Sequence, residues 1–205
     1  MYVVAGPNGA GKSTLTRGGR AGFGVDPIDA DAIQRETGTD SSEAWYAALR
    51  QCRDAIAAKR TFLVETTLAG SDSARPPTYL RLMADAKKSG YRLDFTFIAL
   101  GNADAHVARV ADRVRAGLHD IPEEKIRERY ERSWRNATTA LAIVDHGLIL
   151  DNSSIEVPFR LIAEIEHGEV VALADDVPTW VASMLIGLEL IKRFASATGH
   201  EKPEL

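Results

Sequence analysis

Residues Gly6-Pro7-Asn8-Gly9-Ala10-Gly11-Lys12-Ser13 stand between the apolar run Tyr2-Val3-Val4-Ala5 and a helix-compatible stretch. A strand, a glycine-rich turn and a helix in that order leave few folds open. Glycine admits backbone conformations closed to other residues, so successive N–H groups can turn inward, and the following helix directs its positive end to the same point. Such a turn cradles phosphate oxygens. Lys12 then reaches the β- and γ-phosphates of a nucleoside triphosphate, and the Ser13 hydroxyl ligates Mg²⁺. The expected nucleotide-binding residues are Gly6, Asn8, Gly9, Ala10, Gly11, Lys12, Ser13 and Thr14, with ATP or GTP and Mg²⁺ as ligands.

With 205 residues the chain can bury a core of one domain, or of one domain with a small appendage. Its net charge of −4 and the absence of a long basic block argue against a large nucleic-acid footprint. The single cysteine, Cys52, excludes an internal disulfide and falls in a helical stretch as a core or boundary residue. Only five residues precede the glycine-rich turn, which leaves no room for a signal peptide, and the apolar run Trp180 to Ile191 is short and holds Glu189. The expectation is a cytoplasmic protein that meets no membrane.

Strand and helix patterns alternate along the chain, which predicts an α/β fold with a parallel sheet covered on both faces. Strands are expected at Tyr2–Ala5, Val25–Ile28, Thr61–Val64, Leu93–Leu100 and Leu148–Leu150. Helices are expected after the turn, from Ser42 to Lys59 with Asp40 to Ser42 as cap candidates, and from Asp72 to Ser89. A helix carrying Val107, Val110 and Val114 should end at the break Gly117–Pro122, a place for a lid. Beyond it, Ile126, Tyr130, Trp134, Ala137, Leu141 and Val144 step by three or four along a long amphipathic helix. A hairpin over Arg160–Ile165 and Val170–Leu173 and a last helix over Pro178–Ala197 complete the chain. The domain expectation is a core over residues 1–153, with the lid at about 115–123, and an appended hairpin and helix over 154–205.

In sheets of this kind ligands gather at the carboxyl ends of the strands. Asp29 and Asp31 follow the second strand and Glu65 the third. A strand-end acid beside a phosphate loop holds Mg²⁺ or takes the proton of an attacking hydroxyl, whereas an Asp in a turn often only caps. Asp29 reads as a cap and Glu65 as functional, with Ser13 and Glu65 the metal-binding pair; spacing alone leaves Asp31 open. Arg113, Arg129 and Arg132 are expected to offset charge on transferring phosphate. Arg127 and Arg135 belong to i, i+4 pairs with Glu131 on an exposed face. His119, on its residues alone, reads as a turn cap, and His106, His146, His167 and His200 lack metal-ligand spacing.

Together these segments resemble the zeta-toxin group of P-loop kinases, in its compact branch of zeta-toxin-like ATPases. The resemblance rests on Gly6 to Thr14, Asp29-Ala30-Asp31-Ala32-Ile33, Glu65-Thr66-Thr67-Leu68-Ala69-Gly70, Arg109 to Val114, Gly117 to Pro122, Arg129 to Ser133, and Asp151-Asn152-Ser153. Leu118 stands where the branch has a second glycine before His119. The resemblance implies a nucleotide-kinase-like three-layer fold with strand order 2-3-1-4-5. It also implies transfer of the γ-phosphate of ATP or GTP to a sugar-nucleotide hydroxyl, the family substrate being UDP-N-acetylglucosamine, and an antitoxin protein as partner. On that model Asp31 is the catalytic base, and Lys12, Arg113 and Arg132 share the catalytic role. Asp31, Glu65, Thr67, His119 and Arg129 bind the substrate. The alternative is a nucleotide-dependent switch or ATPase acting through a protein partner; a switch needs no base for a substrate hydroxyl, which is what Asp31 offers.

Overall fold

The structure, a computed structural model, describes residues 1–17, 24–70, 77–115 and 121–198. Strand β1 (Tyr2–Ala5) lies at the centre of the sheet. It pairs in parallel with β3 (Leu63–Thr66) on one side and β4 (Asp94–Ala99) on the other, so that Val3 stands level with Val64 and Phe95. Strands β2 (Pro27–Asp29) and β5 (His146–Asp151) add in parallel outside these. The five parallel strands thus run in the order 2-3-1-4-5. β3 is buried throughout, and β1 and β4 at all but their first residues, because helices cover both faces; that is why these strands are near-continuous apolar runs rather than alternating ones.

Among the described residues the sheet has seven strands rather than five. The expected hairpin, β6 (Arg160–Glu166) and β7 (Glu169–Leu173), joins the edge of β5 antiparallel and continues the same sheet. β3 begins two residues later than its apolar run suggested, so Glu65 and Thr66 are strand residues, not loop residues beyond it. A short helix, α2 (Ala30–Thr37), follows β2 directly where none was expected, and no described residue of it is buried. The Asp29 carboxylate caps it by accepting from Asp31 N–H at 3.0 Å, and Gly38 closes it at φ 69°.

The remaining helices are α1 (Lys12–Arg17), α3 (Ser41–Ala57), α4 (Thr78–Lys88), α5 (Ala103–Arg115), α6 (Glu123–Leu141) and α7 (Thr179–Thr198). Asp40 caps α3 through Ser42 and Glu43 N–H, as its position implied. α4 begins at Thr78; the first part of the stretch expected for it lies outside the described residues. The same holds for Gly117 to Asp120, and so for His119 and the centre of the expected lid. No described helix is long and apolar enough to cross a membrane. α7 packs on α6 and carries Trp180 edge-on to Phe97, with ring centroids 6.2 Å apart. Trp134 of α6 donates to the Trp180 carbonyl at 3.1 Å, which places both tryptophans in the core rather than at a ligand. Phe97 is fully buried in β4, so Phe97→Ala should lower unfolding free energy by about 3–5 kcal/mol in urea titration; a loss below about 1 kcal/mol would contradict this packing.

Candidate active site

All five parallel strands direct their carboxyl ends to one side, where the segments following β1, β2, β3 and β5 line a cleft. After β1 the chain turns through residues 6–11 into α1. At Gly6 a Cβ would lie 2.1 Å from the Ile98 carbonyl oxygen of β4, so only glycine lets the turn leave the sheet at that point. At Gly11, φ is 100° and a Cβ would lie 2.5 Å from Asn152 Nδ2. The Lys12 ammonium folds over the turn and donates to the carbonyls of Gly6 (2.7 Å) and Pro7 (3.1 Å). Burial lowers its pKa, while Glu65, Asp31 and Asp29 act in the opposite direction, in that order.

Glu65 from β3 is buried beside this turn. One carboxylate oxygen accepts from the Ser13 hydroxyl at 2.9 Å and the other from the Thr16 hydroxyl. Asp29 ends β2, and Arg17 pairs with it at 3.0 Å. Its pKa is raised by burial first and then by the charges of Glu65 and Asp31, against the Asp31 N–H and Arg17. Asp29 is thus a buried cap, as expected. Asp31, in the first turn of α2, is exposed and lines the same cleft.

The cleft measures about 1310 Å³. Its walls bring together Asn8, Gly9, Gly11, Lys12, Ser13, Thr14, Asp31, Glu65, Thr67, Arg113 and Arg129 among the residues expected at the site. Arg113 is exposed on α5. Arg129 of α6 donates to Asn8 Oδ1 at 3.1 Å, directly onto the turn. Arg132 is not among the lining residues: its guanidinium is engaged by Glu128 and, at 3.4 Å, by the Gly70 carbonyl. Gly6 and Ala10 form the buried floor of the turn. Arg127 pairs with Glu123 and Asp104 rather than with Glu131, on the exposed face where it was expected. Pro158 and Phe159, beyond residue 153, also line the cleft.

Three residues that sequence reasoning did not assign brace the turn from outside. His106 of α5 is fully buried, accepts from Leu100 N–H at 3.1 Å through Nε2 and donates from Nδ1 to the Asn8 carbonyl at 2.8 Å. Asn152 donates to the Ala10 carbonyl at 2.8 Å and accepts from Phe159 N–H at 3.2 Å. Arg109 donates to the Asn152 carbonyl at 2.6 Å. Asn152 and Arg109 stand in segments that carry the family resemblance, which was their only signal; a lone histidine on a helix offers none.

The residues fit a Mg²⁺-bound triphosphate. With phosphate oxygens and waters in its shell, Mg²⁺ needs only one or two protein groups, and the adjacent Ser13 hydroxyl and Glu65 carboxylate are oxygen donors that could supply them. The glycine conformations and the overlying lysine suit phosphate.

No family model matches the chain. An uncharacterized protein of Haemophilus influenzae is 28% identical over 130 residues, which is 61% of this chain and 88% of that protein. A structure from the PezAT chromosomal toxin–antitoxin system of Streptococcus pneumoniae superposes with a TM-score of 0.56 at 19% identity, covering 97% of this chain and 87% of the other. The AvrRxo1-ORF1:AvrRxo1-ORF2 complex with sulphate ions gives a TM-score of 0.61 at 13% identity, over 95% of this chain and 70% of the other. The chain therefore shares its α/β fold with these two structures, and its parallel strands follow the order 2-3-1-4-5 that its motifs imply.

His106 makes the turn's integrity depend on pH. Burial pushes its pKa down to about 4, whereas an unfolded chain takes up the proton near pH 6.5. Stability is therefore full above that pH and is lost as pH falls toward 4, by roughly 2 kcal/mol between pH 7 and pH 5. Urea midpoints should show the gap between wild type and His106→Asn shrinking over that range; the subtraction also cancels the opposite-signed contribution of Asp29. A gap that stays constant with pH would contradict a neutral, buried His106.

Proposed function

We propose that this chain is a Mg²⁺-dependent small-molecule kinase that transfers the γ-phosphate of ATP or GTP to a hydroxyl of a sugar nucleotide, UDP-N-acetylglucosamine being the first candidate acceptor. The supporting observation is that Lys12, Ser13 and Glu65 line one cleft together with Asp31 and Thr67. A site for hydrolysis alone does not require an exposed carboxylate beside the loop. The fold neighbour from a toxin–antitoxin system makes an antitoxin protein the first partner to test.

In this reading the turn's N–H groups and Lys12 bind the β- and γ-phosphates, and Ser13 with Glu65 holds the cation. Bound Mg²⁺ supplies charge neutralisation of the phosphates and alignment of the transferred group. Asp31, exposed at the cleft wall and free of the ion pair that occupies Asp29, accepts the acceptor hydroxyl's proton. Arg113 and Arg129 offset charge on the transferring phosphoryl group, and Arg132 joins them after exchanging its hold on Glu128. His119 contributes to acceptor binding from the segment that carries the resemblance. The catalytic machinery falls within residues 1–153, and residues 154–205 add Pro158 and Phe159 to the cleft wall.

Two substitutions test the assignment. Lys12→Ala should abolish both nucleotide binding and transfer. Asp31→Asn keeps the side chain's shape but accepts no proton, so nucleotide affinity should persist while single-turnover transfer falls roughly 10²–10⁴-fold. Wild-type transfer by Asp31→Asn would remove Asp31 from the role of base, and wild-type transfer by Lys12→Ala would refute the phosphate loop itself.

A further inference from the structure

Directly after Glu65 the chain adopts a conformation that its residues do not favour. Leu68 has φ 55°, in the left-handed region, although it is a leucine and fully buried. Its own side chain cannot stabilise that backbone, so neighbours must hold it.

The holding groups come from one helix. Ser133 of α6, fully buried, donates its hydroxyl to the Thr67 carbonyl. Asn136 donates from Nδ2 to the Leu68 carbonyl at 2.7 Å, and Arg132 reaches the Gly70 carbonyl at 3.4 Å. Local contacts complete the turn, with Leu68 N–H on Thr66 Oγ1 at 2.9 Å and Ala69 N–H on Thr67 Oγ1 at 3.4 Å. Before the turn, the Thr66 carbonyl accepts from Gly6 N–H, the first amide of the phosphate loop, at 3.2 Å. Arg129 contacts Asn8 of that loop from the same helix.

Arg129, Arg132, Ser133 and Asn136 stand at i, i+3, i+4 and i+7. They form a single polar stripe about 10 Å long on one side of α6. Its first member touches the phosphate loop, and the others touch carbonyls of residues 67–70, which line the cleft after β3.

We propose that this stripe is a spacer that sets the acceptor wall against the phosphate loop, with Ser133 and Asn136 as positioning residues that act through the Leu68 turn. The role rests on the kinase reading above. Neither side chain lines the cleft. Their effect passes through Thr67, whose carbonyl is drawn toward α6 while the residue stays part of the cleft wall. Loss of either donor strands a buried carbonyl and lets Leu68 relax, which moves Thr67 relative to Glu65 and the transferred phosphate. Nucleotide binding, made by the other wall, is unaffected.

The test uses full-length wild type, Asn136→Asp and Ser133→Ala. Asn136→Asp keeps the shape and removes the donor, and Ser133→Ala places the best helix former in α6, so the helix persists. Three readouts are compared: hydrogen exchange of residues 66–70 with Mg²⁺-ATP present, affinity for a fluorescent ATP analogue, and transfer to UDP-N-acetylglucosamine. Exchange at 67–70 should rise about tenfold or more in both variants, nucleotide Kd should stay within about twofold, and kcat/KM for the acceptor should fall about tenfold, chiefly through KM. Unchanged exchange in folded variants overturns the proposal, as does a loss of nucleotide affinity in step with transfer. If wild type itself phosphorylates no sugar nucleotide, the kinase reading fails. Exchange and nucleotide affinity then still decide the spacer: loosening with Kd intact supports it, and no loosening overturns it.

Discussion

A glycine-rich turn that leaves the end of a buried strand carries carbonyls that need partners from elsewhere in the chain, so contacts beyond the turn must hold it open. In this chain they do so from several sides. Gly6 removes the side chain that would strike the Ile98 carbonyl, and Gly11 removes the one that would strike Asn152. The outward carbonyls of Asn8 and Ala10 are taken by His106 and Asn152, and those of Gly6 and Pro7 by Lys12. Each of these carbonyls is buried polar surface that would otherwise destabilise the turn. α1, α5 and the end of β5 supply those partners.

The opposite wall is governed by charge. Glu65 and Asp31 stand close enough to Asp29 to add to the burial that disfavours its ionisation, and Lys12 feels the charge of all three. Arg17 neutralises Asp29 and the hydroxyls of Ser13 and Thr16 satisfy Glu65, which leaves Asp31 as the exposed carboxylate. Three acids in nearly the same place thus sit in different environments, set by which partner reaches each one. A divalent cation at Ser13 and Glu65 would relieve the remaining repulsion.

Features whose causes are local were legible from the residues. The phosphate loop needs particular φ values at particular glycines, Asp40 needs only the two amides that follow it, and β1 and β4 are apolar because both of their faces are covered. α2 was missed although its cap and its glycine stop are present, because it is only eight residues long and none of its described residues is buried. The hairpin was recognised, but its union with β5 was not, since edge pairing depends on which strand ends up adjacent. His106 and Asn152 act on partners 98 and 142 residues away, distances over which spacing carries no information. Arg132 shows the same limit in reverse: it shares a helix with Arg129, yet Glu128 and the Gly70 carbonyl engage its guanidinium outside the cleft wall.

The most direct measurement of the central claim is mass spectrometry of a sugar-nucleotide pool incubated with the full-length protein, Mg²⁺ and ATP or GTP. The account predicts that one sugar nucleotide gains the mass of a phosphoryl group, with nucleoside diphosphate formed in equal amount. Free phosphate released with every sugar nucleotide unchanged would contradict it, and would mean that the cleft beyond Lys12 and Glu65 receives no acceptor hydroxyl.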